Sequence, residues 1–264
     1  MGQQLSKRLL LRSRVRGGQV FAIVRNPERF QGLESLGLRL LPWSADAPKG
    51  ALVCHSIPPL SEPENSSIRQ KIELLAPRRI VYISSTGVYG EANEVGADTP
   101  PAPDDERGRQ RAHEEQWIAS GKWSSLILRA AAIYGPGRGV HRAIRDGRAP
   151  RGSAAQVVSR IHVDDLAALA EAGLFSAISG AWPVADELPC ASLEIVRWLT
   201  RLLDLPNRAQ QRDDIAYSGR RVCGRAIREL LGVPLTYPTW QAGMLASLAE
   251  ERALSGLFSR PGRD

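Results

Sequence analysis

Apolar and polar positions along the chain follow two periods in turn. Leu5, Leu9, Leu10 and Val15 recur at helical spacing, and Gly17-Gly18 ends that helix before the apolar run Val20 to Val24. The order is helix, then buried strand. Leu38 to Leu41 and Ala51 to Cys54 read as short strands, the second stopped by Pro58-Pro59. Ile68 to Leu75 reads as a helix, Arg79 to Ser84 as a strand, Arg107 to Ser120 as an amphipathic helix and Ser125 to Arg129 as a further strand. Strands that alternate with helices require crossover connections, so the pattern predicts a doubly wound parallel α/β sheet.

Beyond Tyr134 the pattern changes. Thr99-Pro100-Pro101-Ala102-Pro103 and Gly135 to Gly139 are loops, and Asp164 or Asp165 is expected to cap a helix through Leu166 to Leu174. Ala181 to Ala185 reads as a strand returning to the sheet, Ser192 to Leu203 and Val222 to Leu231 as helices, and the tail after Leu257 as frayed. Two parts are expected: residues 1–135 form a Rossmann-like dinucleotide-binding part, and residues 136–264 a small, closely joined, mostly helical substrate lobe.

The front end departs from the usual order of a dinucleotide-binding unit, which is strand, glycine-rich loop, helix, second strand, then a residue that grips the adenosine ribose. Here the first strand and loop are missing. Gly2 fits the last glycine of the loop, where a missing Cβ lets helix and sheet approach, and Arg25 falls on the ribose-reading position. A guanidinium there suits the 2′-phosphate of NADP, so NADP is expected in preference to NAD. The expectation is a start about 10 residues upstream, enough for one strand at ~3.3 Å per residue, with a decayed gene product as the alternative. If the chain starts at Met1, cofactor binding is expected to be impaired.

Charge and composition add little. The 264 residues carry a net charge of +7, in arginines scattered along the chain, so a nucleic-acid partner is not expected. No apolar run approaches the ~20 residues of a membrane span and no signal peptide is visible, which leads to an expected cytoplasmic location. Cys54, Cys190 and Cys223, with His55, His113, His141 and His162, have no metal-ligand spacing, and no metal is expected.

The segment Val81-Tyr82-Ile83-Ser84-Ser85-Thr86-Gly87-Val88-Tyr89-Gly90 places hydroxyls at the carboxyl end of a buried strand, where open α/β sheets bind ligands. It resembles the extended short-chain dehydrogenase/reductase superfamily, the NAD-dependent epimerase/dehydratase family, and most closely its atypical members. Leu128-Arg129 through Tyr134-Gly135-Pro136-Gly137, Arg160-Ile161-His162-Val163-Asp164-Asp165 and Cys54-His55-Ser56-Ile57-Pro58 carry the same resemblance. It implies Ser85, with Thr86 beside it, as the active-site hydroxyls. Gly2, Arg25, Ser56, Ile57, Pro58, Ser84 and Ser85 would line the cofactor, and Arg129, Tyr134 and Arg138 a small-molecule substrate. A homodimer is a further implication.

The family's catalytic Tyr-x-x-x-Lys is replaced by Arg107 and Arg111. Arginine stays protonated and cannot shuttle a proton near neutral pH, so ordinary tyrosine-based hydride transfer is expected to fail. Three readings follow. The first is an NAD(P)-binding oxidoreductase or epimerase-like protein of unknown substrate. The second is a non-catalytic dinucleotide sensor or scaffold, and the third an RNA-binding relative. His162 as a base is set against a structural histidine.

Overall fold

The computed structural model describes residues 1–24, 27–46, 48–146, 156–203 and 219–258, with residues 28, 29, 31, 145 and 254–258 in backbone only. The first half alternates as its pattern predicts: α1 (Gly2–Arg16), β1 (Val20–Ile23), α2 (Gln31–Glu34), β2 (Leu38–Leu41), β3 (Leu52–His55), α3 (Glu62–Leu75), β4 (Arg79–Ser85), β5 (Glu94–Val95), α4 (Glu106–Ser120) and β6 (Ser124–Ala130). The second half contains β7 (Ala132–Tyr134), α5 (Val140–Arg145), β8 (Val157–Val158), β9 (Arg160–His162), α6 (Val163–Leu174), β10 (Gly180–Val184), β11 (Cys190–Ala191), α7 (Ser192–Leu202), β12 (Gly219–Val222), α8 (Arg225–Leu231) and α9 (Trp240–Phe258).

The central sheet has the order β10-β6-β4-β3, with every neighbouring pair parallel. It is a doubly wound, Rossmann-like α/β arrangement, with β10 as the strand that returns from the second half. β1 and β2 form a separate parallel pair, and among the described residues nothing pairs the second edge of β1 or of β3. One helix spans the division. Leu5 of α1 joins the core of Val81, Leu126 and Leu166, against which Leu52 and Cys54 pack, while Leu10 joins Leu33 and Leu38, with Val20 and Ala22 against them. The apolar residues of β1 are only half-buried, as are Leu52, Val53 and Cys54 of β3, whereas Ile80, Val81 and Tyr82 of β4 are fully buried.

Two expectations are corrected. Helix α6 is capped by neither Asp164 nor Asp165: its N-cap is His162, whose Nδ1 accepts from the Asp164 backbone N–H at 3.2 Å. Asp165 instead accepts from the N–H groups of Thr236 and Tyr237, at 2.7 and 3.0 Å, fixing the approach to α9. Val222 belongs to β12, because its N–H is taken by Ser159 Oγ at 2.8 Å, and the helix begins only at Arg225. Helix α9 lacks a sequence expectation. The end of the tail, 259–264, lies outside the described residues.

Candidate dinucleotide and substrate site

The carboxyl ends of β3 and β4 bring together the 55–58 segment and the hydroxyl-bearing turn. Ser85 Oγ accepts from the Gly87 N–H at 3.2 Å, opening a 3-10 turn over Thr86–Tyr89. Ser85 and Thr86 remain half-buried, Ser56 and Pro58 are exposed, and Ile57 packs on the core below. Helix α4 approaches the same turn closely. Its N-cap Asp105 accepts from the Gly108 N–H at 2.6 Å, and a Cβ on Gly108 would stand 2.8 Å from the Gly87 carbonyl oxygen. That contact sets the arginine pair. Arg107 is exposed, while Arg111 turns inward and donates to the Ile83 carbonyl at 3.3 Å.

Below the rim lies a charged frame. Arg129 donates to Glu115 through Nε and through Nη2, the latter at 2.8 Å, and its Nη1 donates to Tyr89 Oη at 3.2 Å. Ser84 Oγ donates to Glu115 Oε1 at 2.5 Å. Burial alone would depress the Arg129 pKa, but Glu115 and Tyr89 overcome it and hold the guanidinium charged. Ser84 and Arg129 are therefore spent on each other's partner and serve the scaffold. On the far side of α4, Glu114 accepts from Arg69 at 2.8 Å and lies 3.7 Å from His55 Nε2. Burial would raise the Glu114 pKa, yet His55 and Arg69 pull it below the usual carboxylate range. His55 stacks on Tyr82 with ring centroids 5.0 Å apart. Tyr82 Oη has no hydrogen-bond partner among the described residues, and burial pushes its pKa up to about 12 against the pull of Arg111.

The substrate-side residues separate. Tyr134 is buried, its Oη unpartnered, its ring edge-on to His162 at 5.2 Å, and its pKa is driven upward by burial and then by Asp186 and Asp165. Arg138 is exposed on the Gly135–Arg138 turn, and its charge acts on the Met1 amino group at the start of α1. A Cβ built on Gly2 would meet only the Phe30 ring, at 3.9 Å, so close helix packing does not require glycine there. Arg25 lies outside the described residues.

One constellation imitates a nucleophilic triad. His162 Nε2 lies 3.2 Å from Ser247 Oγ, and its Nδ1 lies 3.7 Å from Asp164 Oδ2. The proton is on the wrong nitrogen. Because Nδ1 accepts the Asp164 backbone N–H, Nε2 carries the hydrogen and donates to Ser247, whose own hydroxyl donates to the Gly243 carbonyl at 2.7 Å. Burial lowers the His162 pKa further, and Ser247 is wholly enclosed. The histidine is structural. Among the described residues no group of three or more His, Cys, Asp or Glu side chains is arranged to hold a metal ion, and no helix is long and apolar enough to cross a membrane.

Several residues of the site carry no sequence signal. Glu115 and Gly108 look like ordinary positions of a polar helix, and Arg220 sits 130 residues from the turn it reaches. The pairing of Glu115 with Arg129 and the close approach at Gly108 depend on how α4 lies against β4 and β6.

This split parallel sheet, with hydroxyls at the end of β4, has the fold of the NAD-dependent epimerase/dehydratase, or extended short-chain dehydrogenase/reductase, family. A structure from Methylobacillus flagellatus, provisionally named an NAD-dependent epimerase/dehydratase, shares 26% identity with a TM-score of 0.72, over 95% of each chain. A UDP-glucuronic acid 4-epimerase from Bacillus cereus in complex with NAD matches with a TM-score of 0.72 at 18% identity, over 96% of this chain and 95% of the other. In sequence, Protein YeeZ of Escherichia coli K12 is 37% identical over 90 residues, 33% of this chain and 32% of its own length. A 3-diazoavenalumate denitrifying reductase of Streptomyces sp is 28% identical over 159 residues, 52% of this chain and 51% of that protein. The matched stretches thus span about a third and about half of these curated relatives. No protein-family model matches.

Proposed function

We propose that the chain binds a nicotinamide dinucleotide across the carboxyl ends of β3 and β4 and acts as an oxidoreductase or epimerase-like protein on a small molecule. The observation that carries this reading is the half-buried Ser85–Thr86 pair on a turn held at the end of a central parallel strand. The donor set suits such a group. The N-terminus of α1, which has no side-chain cap, suits a pyrophosphate, and Ser56 and the Ser85 and Thr86 hydroxyls suit ribose and carboxamide oxygens. Ile57 and Pro58 would flank the ring system. When bound, the nicotinamide supplies hydride acceptance or donation.

The chain's own part is binding and polarisation. Arg111 occupies the position of the family's lysine and would hold a ribose hydroxyl. Ser85 would donate to a substrate oxygen, and exposed Arg107 and Arg138 would draw an anionic group. None of these arginines can serve as the proton carrier, and the buried phenols of Tyr82 and Tyr134 have their pKa values raised. The reading therefore places proton delivery on the substrate or solvent. Arg25 would favour NADP over NAD, and a cytoplasmic homodimer completes the proposal.

Calorimetric titration of the purified chain with NADPH and NADH tests it. Binding that prefers NADPH, reversed by Arg25→Asp and weakened by Ser85→Ala, supports the reading. A folded sample that binds neither dinucleotide overturns it.

A further inference from the structure

Arg220 lies on β12, in the second half of the chain, yet its guanidinium is spent on the turn after β4. Nε donates to the Ala92 carbonyl at 3.0 Å, Nη1 to the Thr86 carbonyl at 2.5 Å and Nη2 to the Gly90 carbonyl. All three oxygens belong to the seven residues that follow Ser85. The strand itself reinforces the grip, since the N–H groups of Arg221 and Cys223 donate to the Asn93 and Val95 carbonyls at 2.7 and 2.8 Å. Burial depresses the Arg220 pKa, while Asp104 and Tyr89 oppose the change. With its three donor nitrogens occupied by backbone, Arg220 is poorly placed to receive a substrate anion.

We infer that Arg220 is a positioning residue: it sets the Ser85–Thr86 turn and makes dinucleotide binding depend on strand β12 of the second half. The inference rests on the function proposed above. A planar guanidinium suits three carbonyls that converge from one turn, whereas an ammonium offers a single point charge. Without the clamp, three half-buried carbonyls lose a cationic donor and the hydroxyls lose their fixed direction. A misplacement of about 1 Å at such a site costs up to about a hundredfold in function.

Arg79 provides the control. It sits at the opposite end of β4 and also clamps backbone, donating to the Gly173 carbonyl at 2.6 Å and to the Ile178 carbonyl. Wild type, Arg220→Met, Arg220→Lys and Arg79→Met are titrated with NADPH and NADH, and their melting temperatures are recorded. The expected result is at least about a tenfold loss of affinity in Arg220→Met, partial recovery in Arg220→Lys and none lost in folded Arg79→Met. Faster hydrogen exchange over residues 84–92 of Arg220→Lys, with the rest of the sheet unchanged, would support the clamp even if Arg220→Met fails to fold. Wild-type binding that survives unaltered in a folded Arg220 variant overturns this inference alone. No binding by folded wild type overturns it together with the proposed function.

Discussion

Glu115 and Arg129 face each other across α4 and β6 as a buried two-pronged ion pair, with Arg129 Nη2 donating to Glu115 Oε2 at 2.8 Å. Ser84 and Tyr89 complete its hydrogen bonds. Removing one partner strands the other charge inside, so Glu115→Ala should cost about 3–5 kcal/mol. Replacing both, as Glu115→Leu with Arg129→Met, should recover much of that loss. Urea unfolding of the two single variants and the double variant measures both quantities, and simple additivity would show that the pair is not coupled.

Asp186 makes stability depend on pH. Burial raises its pKa to about 7, against the pull of the Leu188 N–H and Arg160, with Asp165 and Glu187 pushing the same way as burial. A carboxyl whose folded pKa exceeds its unfolded value contributes stability that is full below about pH 4 and lost as pH rises through about 7. Asp186→Asn lacks this dependence. Relative to wild type, the variant should gain a few kcal/mol between pH 4 and pH 8, read from urea midpoints at each pH.

Gly90 is held at φ 53° and ψ −124°, and a Cβ there would stand 2.0 Å from the Ala102 carbonyl oxygen. Gly90→Ala should destabilise by about 3 kcal/mol, because strain and overlap act together. Thermal unfolding beside Gly17→Ala, which has a positive φ but open space, separates the two contributions.

Ser247 should ignore a fluorophosphonate that labels activated serines. Mass spectrometry of the treated native protein checks this, and stoichiometric labelling at Ser247 would contradict the assigned His162 tautomer.

The central strands and α1, α3 and α4 were legible because burial imposes its pattern on Arg79 to Ser84 and Ser125 to Arg129, whereas Val20 to Val24, expected to be buried, is only half-buried in β1. Ser85 and Thr86 were legible for a similar reason: hydroxyls that follow an apolar run stand at a strand end. The second half was less so. Its strands β8, β11 and β12 are two to four residues long, too short for a period, and are fixed by distant partners such as Ser159 Oγ on the Val222 N–H. The α6 cap was misread because aspartate is the usual choice, whereas a buried His162 met the same N–H.

The separate ladders of β1–β2 and β3–β4–β6–β10 make the molecule's cooperativity divisible. Among the described residues the two share no strand pairing, and α1 spans them through Leu5 on one side and Leu10 on the other. Undocking that helix would release β1 and β2 as an independent opening unit while the larger sheet stays closed. Native-state hydrogen exchange should then show the amides of β1 and β2 sharing one low opening free energy, and those of β4 and β6 following global unfolding. A ligand seated at the start of α1 would raise the first value toward the second, so the exchange gap becomes a gauge of occupancy.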